Sequence, residues 1–399
     1  MMSFKIKGKI IIDSNIAELI KKNNIYSIFR QNIKKKEGRI SSGDLVSVYS
    51  ANKNEFLGVG FFETWGNVAI HLMTFDTFHF NEDTIYERLK NSKILRSKMG
   101  FIESYRWVNS AADELPGLII DKYNDLAVIE STNSGFDKII DTIAEITMKI
   151  DKDIKAVYVR NDTKYRKNNE MLIWKGFVGD PIITKTRTII NEGNAKFYVD
   201  IENGNKTGFY LDQRSNRLEF SLYSKSYDNV LDCFSYTGGF GIHALLNDCK
   251  VTFVENDKPH LKLLAENLKL NDISDGYNIV SENFWEFAKT DIEYYDVIIL
   301  DPPSFISSRK EKELGLRKYI NMNKFALERL EINGLLISSS CSYFLDAQNL
   351  QSIILKLAKE LGIKLVRLGR VRGASPCHLV NPNISGLEYL KCYFFMRIE

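Results

Sequence analysis

The sequence has few of the residues that mark a secreted, metal-binding or membrane-spanning protein. Its 399 residues include only five cysteines and five histidines, and no two cysteines are separated by two residues. An odd number of cysteines without that spacing favours neither a disulfide framework nor a zinc site, so we predict free thiols and no metal. No run approaches the roughly 18–20 apolar residues of a membrane helix, and the first residues lack the pattern of a signal peptide. We therefore predict a cytoplasmic protein without a membrane partner.

Proline is also scarce, and the charges nearly balance. Seven prolines, with 26% charged and 44% hydrophobic residues, exclude a disordered or fibrous chain. The net charge of +3 does not by itself indicate a polyanionic partner, but residues 1–40 hold ten lysines and arginines against three acids. Such a cluster suits phosphate contacts, although a solvated lysine-rich surface is an equal alternative. The lysines that we predict to bind RNA are Lys21, Lys22, Lys34, Lys35 and Lys36.

Changes in hydrophobic pattern predict three domains, over residues 1–75, 76–190 and 191–399. The first contains short alternating runs broken by glycine and asparagine, typical of a small β-rich module. The second reads as a helix over Glu82–Met99 followed by a β-β-α-β-β order. In the third, strands alternate with helices, which predicts a parallel α/β sheet of the Rossmann type. Its predicted strands are Asn229–Cys233, Val251–Glu255, Tyr277–Val280, Val297–Leu300, Leu335–Ser339, Lys364–Leu368 and Tyr389–Arg397. The clearest predicted helices between them are Lys258–Leu270 and Ala347–Leu361, and the helix of the second domain is predicted around Phe136–Ile150.

Polar groups and glycines follow the first three of these strands, at the edge where a doubly wound sheet binds ligands. Asp232 precedes a turn that contains Gly238 and Gly239, and glycines let a backbone approach a cofactor closely. Glu255 lies 23 positions after Asp232, the spacing of an acid that accepts hydrogen bonds from a ribose diol. Asn283 and Phe284 follow the third strand and could hold an adenine. The same pattern would also arise without a ligand, from a glycine turn that only allows tight packing and an acid that is only solvated.

The fourth and fifth strands end in the most specific elements. Asp301-Pro302-Pro303-Ser304-Phe305 follows the fourth strand, and two prolines fix a stiff loop that presents an acid and a ring. A dehydrogenase has no use for this loop, whereas methyltransferases that act on planar nucleobases do. Cys341 ends the fifth strand between hydroxyl residues, on the side of the same cleft. A lone cysteine is more often a small buried hydrophobe, but its place beside Asp301 favours a catalytic thiol.

Together these residues resemble the cytosine-C5 ribosomal RNA methyltransferases of the RlmI type, which carry an N-terminal PUA domain. The resemblance covers nearly the whole chain, and its most specific stretch is Asn203–Arg217. Asn283 stands where the family usually has an aspartate. The other matching motifs are Gly43–Val46 in the PUA-like domain, Ala112–Leu118 in the middle domain, the glycine turn Phe234–Gly239, the loop Asp301–Phe305 and the Ser-Cys-Ser element Ser340–Ser342.

The resemblance implies S-adenosyl-L-methionine as cofactor, ribosomal RNA as partner, and a base drawn out of its stack into the pocket. Cys341 would add to C6 of the cytosine and Asp301 would hold the amine and N3 of the ring. Whether the chain forms a homodimer stays open. The residues assigned to the cofactor are Lys206, Thr207, Asp212, Gln213, Arg214, Asp232, Phe234, Thr237, Gly238, Gly239, Glu255, Asn256, Asn283, Phe284 and Asp301.

Two other functions fit parts of the same pattern. Asp-Pro-Pro followed by an aromatic residue also occurs in enzymes that methylate amino groups, so the target could be a guanine or adenine nitrogen with Cys341 merely structural. A non-catalytic RNA-binding or ribosome-assembly factor could retain the cofactor pocket. The intact acids, glycine turn and Cys341 argue against that loss of catalysis.

Overall fold

The computed structural model describes residues 4–52, 54–384 and 386–399. The chain folds into two units, each assembled from three segments. The second unit contains every predicted strand of the α/β domain. The segments are Met1–Ile190, Val199–Phe209 and Pro376–Leu387 in the first unit, and Asn191–Tyr198, Tyr210–Ser375 and Glu388–Glu399 in the second.

The first unit begins with a six-stranded sheet in the order β2-β6-β5-β4-β1-β3, in which only the pairing of β1 with β4 is parallel. One helix, α1 (Ser14–Asn23), interrupts the predicted β-rich module. Asp13 caps it by accepting from the Asn15 N–H, and Asn24 ends it in the left-handed conformation. The strands are β1 (Ile6–Ile12), β2 (Ser27–Phe29), β3 (Ile33–Glu37), β4 (Leu45–Ser50), β5 (Phe56–Phe62) and β6 (Val68–Leu72).

A second sheet of the first unit has five strands in the order β11-β10-β9-β8-β7. The predicted β-β-α-β-β order is therefore incomplete, because β7 precedes it. The predicted helix over residues 136–150 is two helices, α3 and α4. The elements are α2 (Glu82–Lys98), β7 (Ser104–Asn109), β8 (Leu118–Tyr123), β9 (Leu126–Ser131), α3 (Ser134–Asp137), α4 (Ile140–Ile150), β10 (Ala156–Asn161), α5 (Lys164–Asn168) and β11 (Trp174–Val178).

The two sheets of the first unit share one hydrophobic core. Phe61 of β5 packs edge-to-face on Phe136 of α3, with ring centroids 5.5 Å apart, and both belong to a buried cluster that includes Trp107 and Ile129. Burial on this scale is the main stabilising contribution to folding. The predicted boundary at residue 75 thus falls within one packed body. A two-stranded sheet is formed by β12 (Arg187–Glu192) and β13 (Ala195–Asp200).

The second unit is built on a seven-stranded sheet in the order β16-β15-β14-β17-β18-β20-β19. Strands β14 to β18 are parallel, as predicted, but the last strand, β20, is antiparallel to both β18 and β19. Because the start of β20 lies at the carboxyl ends of the parallel strands, it adds residues to that edge. The strands are β14 (Asn229–Cys233), β15 (Lys250–Val254), β16 (Tyr277–Val280), β17 (Tyr295–Leu300), β18 (Leu330–Ser340), β19 (Leu365–Arg367) and β20 (Lys391–Arg397).

Helices connect the strands of the second unit, and α10 and α11 enclose a core of aliphatic and aromatic side chains with β17 and β18. Within the described part of the chain, no helix combines the length and hydropathy needed to cross a lipid bilayer. The helices are α6 (Arg214–Ser224), α7 (Gly239–Leu245), α8 (Lys258–Leu270), α9 (Phe284–Thr290), α10 (Lys312–Arg329) and α11 (Ala347–Glu360).

Candidate functional site

The turn after β14 brings backbone and carboxylate groups together at the carboxyl edge of the sheet. Asp232 is buried, and its Oδ2 accepts a hydrogen bond from the Gly241 N–H at 2.9 Å. Burial raises the pKa of Asp232 to about 7, and the charges of Asp301 and Glu255 add to the rise. Charges that act on one another in this way are close in space. The acids at the carboxyl ends of three different strands therefore form one cluster.

The glycine turn itself requires glycine at one position. Gly238 has φ +86°, and a Cβ there would lie 2.4 Å from Leu264 Cδ1. The hydroxyls of Ser235 and Thr237 beside it are buried and have no hydrogen-bond partner among the described residues. Because buried polar atoms in folded proteins are normally paired, these hydroxyls fit a turn that receives a polar ligand.

Glu255, directly after β15, is tied to the same turn. Its Oε2 accepts from the Tyr236 N–H at 3.0 Å, and its Oε1 accepts from the N–H groups of Asn256 and Asp257 at 2.9 Å. Burial acts to raise its pKa, but His260 and these backbone donors outweigh it and lower the pKa of Glu255 below its ordinary value. Glu255 is thus held ionised, as an acceptor of ribose hydroxyls must be. Asn256 is exposed next to it.

The two residues after β16 that are assigned to the cofactor, Asn283 and Phe284, both have contacts within the protein. Asn283 Oδ1 accepts from the Trp285 N–H at 2.9 Å and caps α9, so its amide oxygen already has a structural role. Phe284 is only 3% exposed and packs in the core against Phe234 and Phe325. A ring buried in this way stabilises the fold, and its assignment to the cofactor stays a prediction. The partly exposed ring at this position is that of Trp285.

Asp301, directly after β17, is oriented by Gln213. Gln213 Nε2 donates to Asp301 Oδ1 at 2.7 Å and lies 3.3 Å from Ser339 Oγ. Its own oxygen accepts from Asn216 Nδ2 at 2.6 Å, which fixes the direction of the amide. Gln213, expected to bind the cofactor, therefore contacts the predicted catalytic acid and fixes its orientation.

Cys341 lies where the sequence predicts, beside the loop of Asp301. Its Sγ is 3.9 Å from the carbonyl oxygen of Pro302, and Cys341 is the one cysteine of five that is not buried. Burial raises the pKa of the Cys249 thiol to about 11 and that of Cys392 to about 12. Only Cys341 thus combines access with a place at the strand ends.

A group of hydroxyls that the sequence did not identify fixes the segment around Cys341. Ser342 Oγ lies 3.0 Å from Ser304 Oγ and 2.9 Å from the Tyr319 hydroxyl, which also accepts from Ser340 Oγ. The end of β18 is therefore tied both to the Asp-Pro-Pro loop and to α10. Tyr319 is far from Cys341 in sequence, and only the Ser-Cys-Ser pattern indicated part of this network.

Lys391 is a second functional candidate that the sequence did not reveal. It begins β20, is buried, and donates from Nζ to the carbonyl oxygens of Ser342 at 2.6 Å and Tyr389 at 2.7 Å. Burial lowers the pKa of Lys391 to about 8, against the charges of Cys341 and Asp346. A cation therefore lies next to the segment that carries the candidate nucleophile.

The residues from the stretch Asn203–Arg217 are divided between the two units. Lys206 and Thr207 belong to the first unit, where the Thr207 hydroxyl is buried and bonds Asp121 and Tyr123. Asp212 and Arg214 belong to the second unit. Asp212 Oδ2 accepts from the Tyr389 hydroxyl at 2.6 Å, and the half-buried Arg214 begins α6.

The predicted RNA-binding lysines lie on α1 and β3 of the first unit, mostly exposed. Lys34 Nζ is 3.0 Å from Asp13 and Lys35 Nζ is 2.9 Å from Glu37, while Lys36 lies over the Phe62 ring. Lys21 pairs with Glu55 and Lys22 is exposed at the last turn of α1. Exposed pairs of this kind contribute little to stability because water and salt screen them, so a phosphate can replace the carboxylate. RNA binding by these lysines remains a prediction.

The described residues contain no group of three or more His, Cys, Asp or Glu side chains arranged to hold a metal ion. The glycine turn with its two unpartnered hydroxyls, the ionised Glu255 and the acid cluster fit an organic cofactor with polar and cationic groups. The arrangement at the strand ends therefore combines a cofactor-binding turn, an oriented acid and an accessible thiol.

Comparison with known proteins supports these observations. A model described as Conserved hypothetical protein 95 matches residues 217–325, and a PUA-like domain matches residues 15–75. Two curated relatives are named ribosomal RNA large subunit methyltransferase I. That of Alteromonas mediterranea is 30% identical and covers 91% of this chain and 92% of the relative. That of Aeromonas salmonicida is 34% identical over 84% of this chain and 86% of the relative.

A Methanocaldococcus jannaschii protein, provisionally named a ribosomal RNA large subunit methyltransferase, is 35% identical over 97% of this chain and 98% of its own length. Among solved structures, a Streptococcus mutans protein provisionally described as a SAM-dependent methyltransferase superposes with a TM-score of 0.80 at 22% identity, covering 97% of this chain and 99% of that one. At that identity the likeness establishes the fold.

Proposed function

Because the chain belongs to the ribosomal RNA large subunit methyltransferase I family, we propose that it uses S-adenosyl-L-methionine to methylate C5 of a cytosine in large-subunit (23S) ribosomal RNA, with Cys341 as the nucleophile. The observation that carries the proposal is the position of the Cys341 thiol, which is accessible and lies 3.9 Å from Pro302 O in the Asp-Pro-Pro loop. A buried thiol away from the strand ends could not reach a base.

The cofactor supplies an electrophilic methyl group on a sulfonium. The residues that suit it are the glycine turn, where Gly238 keeps the backbone free of a side chain, and Glu255, which is ionised and able to accept from a ribose diol. The hydroxyls of Ser235 and Thr237 are candidate donors to its polar groups. The acid cluster of Asp232, Glu255 and Asp301 would favour a cation at this edge.

Cys341 would supply the activation that cytosine needs. C5 of cytosine is a weak nucleophile, and addition of a thiolate to C6 forms an S–C6 bond and places electron density on C5. After C5 gains the methyl group, a base takes the C5 proton, the S–C6 bond breaks and the thiolate is restored. The identity of that base is not part of the proposal.

Asp301 would hold the ring during these steps. Its carboxylate, fixed by Gln213 at 2.7 Å, is suited to hydrogen bonds with the exocyclic amine and N3 of the base. A carboxylate that is already oriented stabilises charge that develops on N3 without reorganising. The two prolines restrict the loop and so keep the distance between this acid and the thiol constant.

RNA capture would begin elsewhere in the chain. The PUA-like domain carries the exposed lysines of α1 and β3, which can contact phosphates. The target cytosine has to leave its stack to reach the thiol, since the reaction needs access to C5 and C6 from the ring face. Recognition of RNA shape by the first unit would then select the site.

Covalent trapping tests the proposal directly. RNA that carries 5-fluorocytosine at the target cannot lose a proton from C5, so an attacking thiol stays bound to C6. We expect a stable protein–RNA adduct with the wild-type protein and cofactor, and none with Cys341→Ala. Methylation of unmodified RNA by Cys341→Ala should fall by orders of magnitude, as expected for loss of a nucleophile.

The matched control is Cys233→Ala, which removes a thiol buried at the end of β14. It should still form the adduct and methylate RNA, provided that the variant remains folded. Substantial methylation by Cys341→Ala would exclude the C5 mechanism and favour a guanine or adenine nitrogen as the target. Absence of methyl transfer by the wild-type protein to any ribosomal RNA or particle would favour the non-catalytic factor.

A further inference from the structure

Lys391 enters the site because of the direction of its strand. In the antiparallel pairing of β18 with β20, Ser340 is opposite Lys391 and Ser339 is opposite Cys392. The first residue of β20 is therefore next to the last residue of β18, and Cys341 follows immediately. No other lysine among the described residues is placed in this way on the two strands that flank the thiol.

The surroundings of the Lys391 ammonium are unusual for a buried charge. The residue is 7% exposed, and the hydrogen bonds of Nζ go to two neutral carbonyl oxygens, those of Ser342 and Tyr389. None of the ion pairs among the described residues includes Lys391. By contrast, Nζ of Lys122, a lysine of the first unit that is buried to a similar degree, lies 2.8 Å from Oδ2 of Asp151. A buried cation without a carboxylate is costly, and a nearby anion offsets that cost.

We propose that Lys391 is a positioning residue for the nucleophile, and that its ammonium group stabilises Cys341 as a thiolate. The inference deepens the proposed function and rests on it, because the ion pair matters only if Cys341 attacks the base. Attack moves the negative charge from sulfur into the ring as the S–C6 bond forms. When that bond breaks, the electron pair returns to sulfur beside the ammonium, so Lys391 also favours release of the product.

Three other titratable groups on neighbouring elements, a tyrosine and two aspartates, carry no positive charge. Tyr319 on α10 bonds Ser340 and Ser342, and burial raises its pKa. Asp346 precedes α11 and acts on Lys391 electrostatically. Asp301 follows β17, the strand next to β18. Both aspartates would disfavour a thiolate, whereas Lys391, whose own pKa is lowered by burial to about 8, would favour it.

The test is the rate of Cys341 alkylation by iodoacetamide as a function of pH, in the full-length protein, with the modified peptide identified by mass spectrometry. Only the thiolate reacts. We expect a wild-type midpoint at least one unit below the ordinary thiol value of about 8.5. In Lys391→Met the midpoint should rise by at least one unit. At pH 6 the rate should then fall about threefold, because the less acidic thiolate is more nucleophilic and offsets part of the tenfold loss of thiolate.

Two variants separate charge from structure. Lys391→Arg keeps the cation and should retain a midpoint near that of the wild type. Lys364→Met removes an exposed lysine just before β19 in the same sheet and should leave the profile unchanged. A purely structural role of Lys391 would lower thermal stability in Lys391→Met without moving the midpoint.

Either of two results would overturn the inference. One is a wild-type midpoint at or above about 8.5, which can be measured even if no variant folds. The other is an unchanged midpoint in a folded Lys391→Met protein. Both leave the proposed function intact if trapping still requires Cys341. Methylation by Cys341→Ala, in turn, would refute the proposed function whatever the alkylation profiles show.

Discussion

Asp232 shows how a single buried side chain couples this site to pH. Its pKa, ordinarily 3.8, is raised to about 7 by burial and by the charges of Asp301 and Glu255. Between about pH 4 and pH 7 the folded protein therefore holds a proton that the unfolded chain has lost. Stability falls as the pH rises through this window, because the folded state binds more protons than the unfolded state.

Replacing Asp232 by Asn should remove that dependence. An amide oxygen can still accept from the Gly241 N–H, but it never becomes charged. From pH 5 to pH 8 the free energy of unfolding of Asp232→Asn should gain roughly 2–3 kcal/mol relative to the wild type, measured by urea titration at both pH values. Asp275→Asn, at an exposed position of the same unit, should show no such gain. If the free energy of unfolding changes with pH by the same amount in Asp232→Asn and in the wild type, the raised pKa of Asp232 is contradicted.

At the scale of residues, the sequence identified side chains that follow strands but not those that approach from elsewhere. Cys341 and Asp301 could be predicted because the ends of parallel strands meet at one edge of a sheet. Lys391 is 50 positions from Cys341, in a run of aromatic and other apolar residues, and its place depends on the antiparallel direction of β20. The burial of Phe284 could not be predicted, because a ring at a strand end looks the same in sequence whether it is exposed or buried.

The turn between β14 and α7 is the element on which cofactor binding should depend most. Gly238→Ala would place a Cβ 2.4 Å from Leu264 Cδ1 at φ +86°, so the turn must shift. We expect a loss of stability of about 1–3 kcal/mol together with a loss of cofactor affinity of at least tenfold. Thermal unfolding and titration calorimetry with S-adenosylhomocysteine measure the two effects.

Gly362, just after α11, is the matched control for this turn. It has φ +70° and no heavy atom within 4 Å of its ideal Cβ, so Gly362→Ala has the left-handed strain without the clash. It should lower stability by about 1 kcal/mol and leave cofactor affinity unchanged. Equal losses of affinity in the two variants would mean that general destabilisation, not the turn, controls binding.

At the scale of elements, long helices with a clear hydrophobic period were predicted well. Short helices and strands that are buried on both faces were not. The bounds of α8 match the prediction, and α11 differs by one residue. Strand β7 was missed although Tyr105 and Trp107 alternate with Ser104 and Arg106, because Arg106 is buried against Asp121 and reads as polar. Helix α1 was missed because its short amphipathic run lies within a region of strands.

At the scale of the whole molecule, the proposed function divides two tasks between the two units. The second unit contains the glycine turn, Glu255, Asp301, Cys341 and Lys391, whereas the first carries the PUA-like domain with its exposed lysines. Of the residues assigned to the cofactor, only Lys206 and Thr207 belong to the first unit. Thr207 is buried among partners of its own unit, so its assignment to the cofactor is the weakest in structural terms.

Hydrogen exchange of the full-length protein can map both tasks in one experiment. A ligand that binds only the folded state suppresses local opening where it contacts the chain. S-adenosylhomocysteine should therefore slow exchange in residues 234–241 and 255–257, and leave β8 and β9 of the first unit unchanged. Slowed exchange over residues 205–209 would support the assignment of Lys206 and Thr207, and unchanged exchange there would reject it.

Ribosomal RNA should produce the complementary pattern, with slowed exchange in α1 and β3 around the lysine cluster. The RNA effect should weaken steeply as salt rises from 50 to 200 mM, because phosphate contacts release counterions. The cofactor effect should change little over the same range, since few of its contacts are with exposed charges. If RNA slows exchange only in the second unit, the lysines of α1 and β3 form a solvated surface and do not bind RNA. The chemistry proposed at Cys341 would be unaffected by that result.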